Sequence, residues 1–245
     1  MGNFDDADDP RRRLLIQGLT LGLFGLAAPA ESFAQSLLGE RPGKLPPGRS
    51  IYRLSGKVTV NGKDATIDTQ IGPNDSIRTG KDSEIVFVVG GNAMILRSDS
   101  KLDLAGEKKE DGSMLISALR LLSGKILSVS RKQATTLQTP TATIGIRGTG
   151  WYMEADPELT YFCTCYGITD IASAKDPSSK ETVASTHHDK PLYITAGAQS
   201  GNNIRPAGFI NHTDQELMLI ESLVGRTTPF VFPGNSYDSP RRNHY

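Results

Sequence analysis

Between residues 51 and 172 the apolar residues come in short β-branched or aromatic runs, each closed by Gly, Pro, Asn or charge. That punctuation restricts the chain to a mostly β fold. Val58-Thr59-Val60 runs into Asn61-Gly62, two residues that accept positive φ, so a tight hairpin is predicted there. After the turn Pro73-Asn74-Asp75, Ile77 and Thr79 alternate. Residues 85–89 form a run too short for a helix, and Gly90-Gly91-Asn92 turns the chain into residues 93–96. Leu102 and Leu104 alternate ahead of a polar loop at 106–112. Residues 114–122 place Met114, Ala118 and Leu121 on one helical face but are read as strand, and 119–122, 126–129 and 143–146 supply further apolar segments. The expected architecture is all-β, a short β-solenoid or a β-sandwich-like domain.

Beyond residue 155 the pattern changes. A strand pair is predicted over 160–172 around Gly167, then a polar loop over 175–186 containing Asp176-Pro177-Ser178-Ser179, and a short strand at 192–194. One helix is predicted over 214–224: Thr213 and Glu216 have capping-box spacing, Leu217, Ile220, Leu223 and Val224 form an apolar stripe, and Gly225 stops it. This amphipathic helix should lie on the β core, making 173–232 an accessory segment. Residues 35–50, with Pro42, Gly43, Pro46, Pro47 and Gly48, read as a linker, and 233–245 as a disordered tail.

The N-terminus has the three-part layout of an export signal. Arg11-Arg12-Arg13 precedes a glycine-interrupted apolar stretch at 14–28, and Ser32 and Ala34 are small where a signal peptidase reads. Residues 1–34 are therefore expected to be a cleaved, twin-arginine-like signal peptide, although Pro10 stands where that signal usually has Ser or Thr. About 15 apolar residues fall short of the ~20 that a spanning helix needs, so no stable membrane span is expected after cleavage. Removing residues 1–34 takes away five acidic and three basic side chains and leaves a nearly neutral chain. Such a surface carries no nucleic-acid footprint, and the expected location is periplasmic or secreted.

Three blocks carry a family resemblance: Gly56-Lys57-Val58-Thr59-Val60-Asn61-Gly62; Gly72-Pro73-Asn74-Asp75-Ser76-Ile77-Arg78-Thr79-Gly80 with Ser83; and Thr139-Pro140-Thr141-Ala142-Thr143-Ile144-Gly145-Ile146-Arg147-Gly148-Thr149. In that order they resemble the FecR domain, over about residues 51–172. The resemblance implies an all-β, exported, non-enzymatic domain that senses, binds or scaffolds in the cell envelope with an unknown ligand or protein partner. Only 13 residues precede the apolar stretch here, too few for the cytoplasmic sigma-regulator domain of the signalling members, so that role is not expected. The segment Phe162-Cys163-Thr164-Cys165-Tyr166-Gly167 also departs from the apolar strand usual after the Arg-Gly-Thr block.

That departure holds the only two cysteines. At i and i+2 in a strand, Cys163 and Cys165 point to one face. His187, His188 and His212 are the soft ligands available to join them, with Asp189 in reach to orient a ring, and Cys/His donors suit zinc or cuprous copper. A disulfide between the two cysteines and free buried thiols remain alternatives. So does the rule that adjacent histidines in a strand point apart, leaving one of His187 and His188 at a shared centre. Arg147 is a candidate anion ligand or a turn-fixing partner of a carboxylate, and Trp151 with Tyr152 would serve a glycan-binding module if exposed side by side. No phosphate loop, nucleophile elbow or metalloprotease helix is present, so no enzyme is expected.

Overall fold

The computed structural model describes residues 42–130, 134–197 and 201–230. The expected signal peptide (1–34), the first part of the linker (35–41) and the tail (233–245) lie outside the described residues. Residues 42–50 carry no strand or helix, and the first strand begins at Ile51, as the sequence predicts.

Fourteen strands follow among the described residues: β1 (Ile51–Ser55), β2 (Val58–Val60), β3 (Lys63–Asp64), β4 (Ser76–Thr79), β5 (Glu84–Val89), β6 (Asn92–Leu96), β7 (Lys101–Lys108), β8 (Met114–Val129), β9 (Ala134–Gln138), β10 (Ala142–Ala155), β11 (Leu159–Ser173), β12 (Lys180–Ser185), β13 (Leu192–Thr195) and β14 (Ile204–Pro206), with a single helix, α1 (Asp214–Leu223). Asn61 and Gly62 take φ of 52° and 78°, which closes the β2–β3 hairpin as expected. Residues 114–122 are strand, as read.

Three long strands organise everything else. Segments that the sequence separates at Ser123-Gly124 join into β8. The Arg147-Gly148-Thr149 block is a bend inside β10 rather than a turn between strands, and the expected strand pair around Gly167 is one bent strand, β11. Each strand changes course at a positive-φ glycine: Gly124 (98°), Gly148 (62°) and Gly167 (97°). A glycine tolerates this conformation inside a pleated strand and bends it, so the segment is continuous where the sequence suggests a break.

The bends let each long strand serve two sheets. In the first sheet, β7, the N-terminal half of β8, β9, the N-terminal half of β10 and the C-terminal half of β11 lie side by side, extended by β4, β2 and β3 at one end and by β12 at the other. In the second, the order is β1, β5, β6, the C-terminal half of β8, the C-terminal half of β10, the N-terminal half of β11, β13 and β14. Pairing is antiparallel except where β9 runs parallel to β8, with Ala118 beside Thr136, a solenoid-like step inside a sandwich. The sheet is not closed, and the fold is the all-β, sandwich-like one expected.

The shared interior is one apolar cluster that joins Ile77, Leu102, Leu121, Leu137, Ile144 and Ile171 of the first sheet to Phe87, Met94, Leu96, Ile126, Trp151 and Phe162 of the second. Strand parity sends the alternate residues of the second sheet outward: Val86, Ala93, Ile95, Leu127, Val129, Tyr152, Tyr161, Cys163 and Cys165. These are buried too, because Leu217, Ile220 and Leu223 of α1 cover them. The helix starts as the sequence predicts: Thr213 accepts from the Glu216 backbone, the Glu216 side chain accepts from the Thr213 backbone, and Gly225 follows at φ 70°. The predicted polar loop at 175–186 instead contains β12, which pairs with the bent end of β11. Its LysGluThr-rich composition marks an edge strand with a solvated face. Strand β7 likewise extends to Lys108, which shortens the predicted 106–112 loop.

Two outcomes follow from the bends and the cap. A Cβ on Gly124 would lie 2.4 Å from the Ser100 Cα, at a φ that L-residues resist, so Gly124→Ala should cost ~2–4 kcal/mol. Thr213→Ala should cost about 1 kcal/mol. Urea unfolding midpoints measured on both variants check the values and their order.

Candidate metal centre

Cys163 and Cys165 stand on the outward face of the bend-proximal part of β11, both fully buried. The pleat gives them their common direction; the ladder with β10, in which Cys163 lies opposite Tyr152, fixes their position. No disulfide joins them; both are free thiols.

Two histidines reach them from outside the sheet. His188 lies in the turn after β12, where its φ of 56° breaks the strand alternation expected for a His-His pair. Its backbone N–H donates to the Cys165 carbonyl at 3.0 Å, and its Nδ1 lies 3.5 Å from the Cys163 Sγ. His212, immediately before the helix cap, puts Nε2 3.1 Å from the same Nδ1. One ligand atom from each of Cys163, Cys165, His188 and His212 lies within 4.8 Å of all the others. A tetrahedral site with metal–nitrogen bonds of about 2.0 Å and metal–sulfur bonds of about 2.3 Å has edges of about 3.3–3.8 Å. The His188–His212 approach of 3.1 Å and the His188–Cys163 approach of 3.5 Å are close to such edges, and the other donor pairs lie within 4.8 Å.

The outer contacts fix which nitrogens face inward. His212 Nδ1 lies 2.7 Å from the Ile210 carbonyl, which can only accept, so that nitrogen carries the proton. His188 Nε2 lies 3.0 Å from Asp214 Oδ1. Burial alone would raise the Asp214 carboxyl, but hydrogen bonds from His188 and His187 outweigh it and hold the pKa below the usual range, so Asp214 is an ionised acceptor. In the neutral rings, the lone pairs of His188 Nδ1 and His212 Nε2 therefore face each other at 3.1 Å, an arrangement that requires a proton or a cation between them.

Without a cation the cluster polarises itself. Burial would push the Cys163 thiol up, yet hydrogen bonds from Cys165, His188 and His212 bring it well below its ordinary value. Burial and the neighbouring Cys163 push Cys165 well above its own. His188 is lowered by burial but raised more by Asp214 and Cys163, to about 9. The walls are aromatic: Tyr152 stacks on His212 at 4.5 Å, and Phe209 packs against His188 at 4.6 Å and His212 at 4.4 Å. They keep the dielectric low and the donors in place.

The other sequence candidates lie elsewhere. His187, whose side chain is half exposed, is not in the four-donor cluster; it bonds the second oxygen of Asp214 at 2.9 Å. Asp189 does not orient a ring. It accepts from the Thr186 and His187 backbones and closes the turn, while Asp214 takes the orienting role, a residue whose helix-N1 position gave no sequence signal. Arg147 pairs with Asp170 at 2.8 Å on the surface, the turn-fixing alternative rather than a built anion site. Trp151 and Tyr152 are both fully buried and face opposite sides of the sheet, so they cannot stack side by side on a sugar; Trp151 stacks on Phe162 in the interior. Among the described residues no helix is long and apolar enough to cross a membrane.

No curated protein matches the chain. Two crystal structures of a proposed anti-sigma factor from Parabacteroides distasonis ATCC 8503 are similar to it, each with 12% identity, a TM-score of 0.42, and coverage of 54% of this chain and 58% of that one. The family model described as FecR protein matches residues 75–162, inside the 51–172 span of the sequence resemblance. From β4 into the first residues of β11, then, the chain carries a segment similar to the FecR protein family.

Proposed function

We propose that this is a non-catalytic, zinc-binding FecR-domain protein of the cell envelope. The observation that carries the reading is the convergence of one donor atom from each of Cys163, Cys165, His188 and His212 within 4.8 Å, with His188 Nδ1 and His212 Nε2 3.1 Å apart. Two thiolates neutralise a divalent ion, which suits an apolar setting where residual charge is costly. Asp214, as outer-sphere acceptor, fixes the His188 tautomer and makes the ring a better donor. Four protein donors leave no open position for water or substrate, the arrangement of a structural or sensory zinc site rather than a catalytic one. Export is supported by the arginine-led apolar segment at the N-terminus, and a sensory or scaffolding role by the FecR domain.

Protein purified under reducing conditions should retain about one zinc per chain by elemental analysis, and cobalt(II) in its place should give the intense visible bands of a tetrahedral thiolate site. Cys163→Ser and His188→Ala should each abolish stoichiometric zinc, whereas His187→Ala should keep it. Full-occupancy binding by the Cys163 and His188 variants would sink the reading. Asp214→Asn should weaken zinc about 10- to 100-fold in a chelator competition, since the acceptor is blunted while all four donors remain.

A further inference from the structure

Resting on the zinc reading, we infer that residues 207–226 form a lid whose opening admits and releases the ion, so that metal occupancy controls whether the outer face of the second sheet is covered. Both cysteines are fully buried, His212 is 2% exposed and the His188 side chain 6%, so the donors are almost wholly covered in the closed arrangement. What covers them is this segment. Phe209 lies against both imidazoles, and Asp214, the first residue of α1, bonds His188. Two donors, Cys163 and Cys165, belong to the sheet; His212 belongs to the lid itself.

Direct polar ties also hold the lid: Ala207 N–H to the Pro191 carbonyl at 2.9 Å, the Tyr161 hydroxyl to the Gly208 carbonyl at 3.0 Å, Asn211 to Glu154 at 2.7 Å, Arg97 to Glu216 at 2.8 Å, the Tyr166 hydroxyl to Glu221, Arg226 to the Gly91 carbonyl at 3.0 Å, and Leu45 N–H to the Leu223 carbonyl at 2.9 Å. The apolar attachment places Leu217, Ile220 and Leu223 in one cluster with Val86, Ile95, Leu127 and Val129. A helix of 10 residues is marginal by itself and depends on that docking. An ion bridging Cys163 and Cys165 to His212 therefore adds its binding free energy to the closed state. By linkage, helix docking must tighten the ion by the same factor.

Two measurements on the full chain test this. In hydrogen exchange, stripping zinc with a chelator should speed exchange of the α1 amides by on the order of tenfold or more while β4, β7 and β9 keep their protection. Zinc release should become independent of chelator concentration at high chelator, because lid opening then sets the rate. One bound zinc per chain with α1 exchange unchanged on stripping overturns the lid and leaves the zinc reading standing; a release rate that keeps rising with chelator does the same. Absence of bound zinc overturns both. Ile220→Asp, which replaces none of the four donors, should weaken zinc by on the order of tenfold or more, and an unchanged affinity in a variant whose first sheet stays protected also overturns the lid.

Discussion

Glycine-permitted bending of β8, β10 and β11 is the constraint on which the remaining structure depends. A straight strand of 14 to 16 residues would build one wide sheet with an exposed face. Bent at Gly124, Gly148 and Gly167, the same strands form two layers that share an interior, and the energetic cost of φ > 0 is avoided because no Cβ is present. The bends do more than close the core. At Gly150 the Tyr166 ring occupies the space a Cβ would take, so β10 and β11 approach each other closely where they cross between layers. The cysteines lie just before the β11 bend, where the strand still belongs to the second sheet.

Features fixed by neighbours in sequence were legible. The Asn61-Gly62 hairpin, the Thr213–Glu216 box and the common face of Cys163 and Cys165 each depend on a spacing of four residues or fewer, and all three stand in the structure. Features fixed by tertiary geometry were not. A glycine inside a strand and a glycine ending one look alike in sequence, which is why β11 read as two strands. The choice of His188 over His187 turns on one positive φ and one backbone bond to Cys165, neither visible in a His-His pair. Trp151 and Tyr152 illustrate the opposite case: aromatic residues in a chain with two buried faces are packing residues on either side of the sheet.

The FecR match ends at Phe162, one residue before the first cysteine. The donor set is thus assembled from the remainder of a strand that the family's segment begins, together with the turn and the helix that follow. A sheet whose outer positions are Val, Ala, Ile, Leu and Tyr needs a cover, and here the cover also carries an imidazole and an orienting carboxylate. Packing and the four-residue cysteine–histidine cluster share the same few residues, so Tyr152 is at once a core aromatic and the surface on which His212 lies.

The unequal anchoring of the four donors has a consequence of its own. The two sulfurs hang from consecutive outward positions of a laddered strand, so their spacing is a fixed gauge set by the pleat. The two nitrogens hang from a turn and from the approach to a helix, outside any strand ladder. Were the proposed site to take a larger soft ion such as cadmium, the sulfur side would stay unmoved and the extra radius would fall on the histidine side. Ionic size would then be converted into displacement of α1, like a caliper with one jaw clamped to the sheet and the other free to read out the difference.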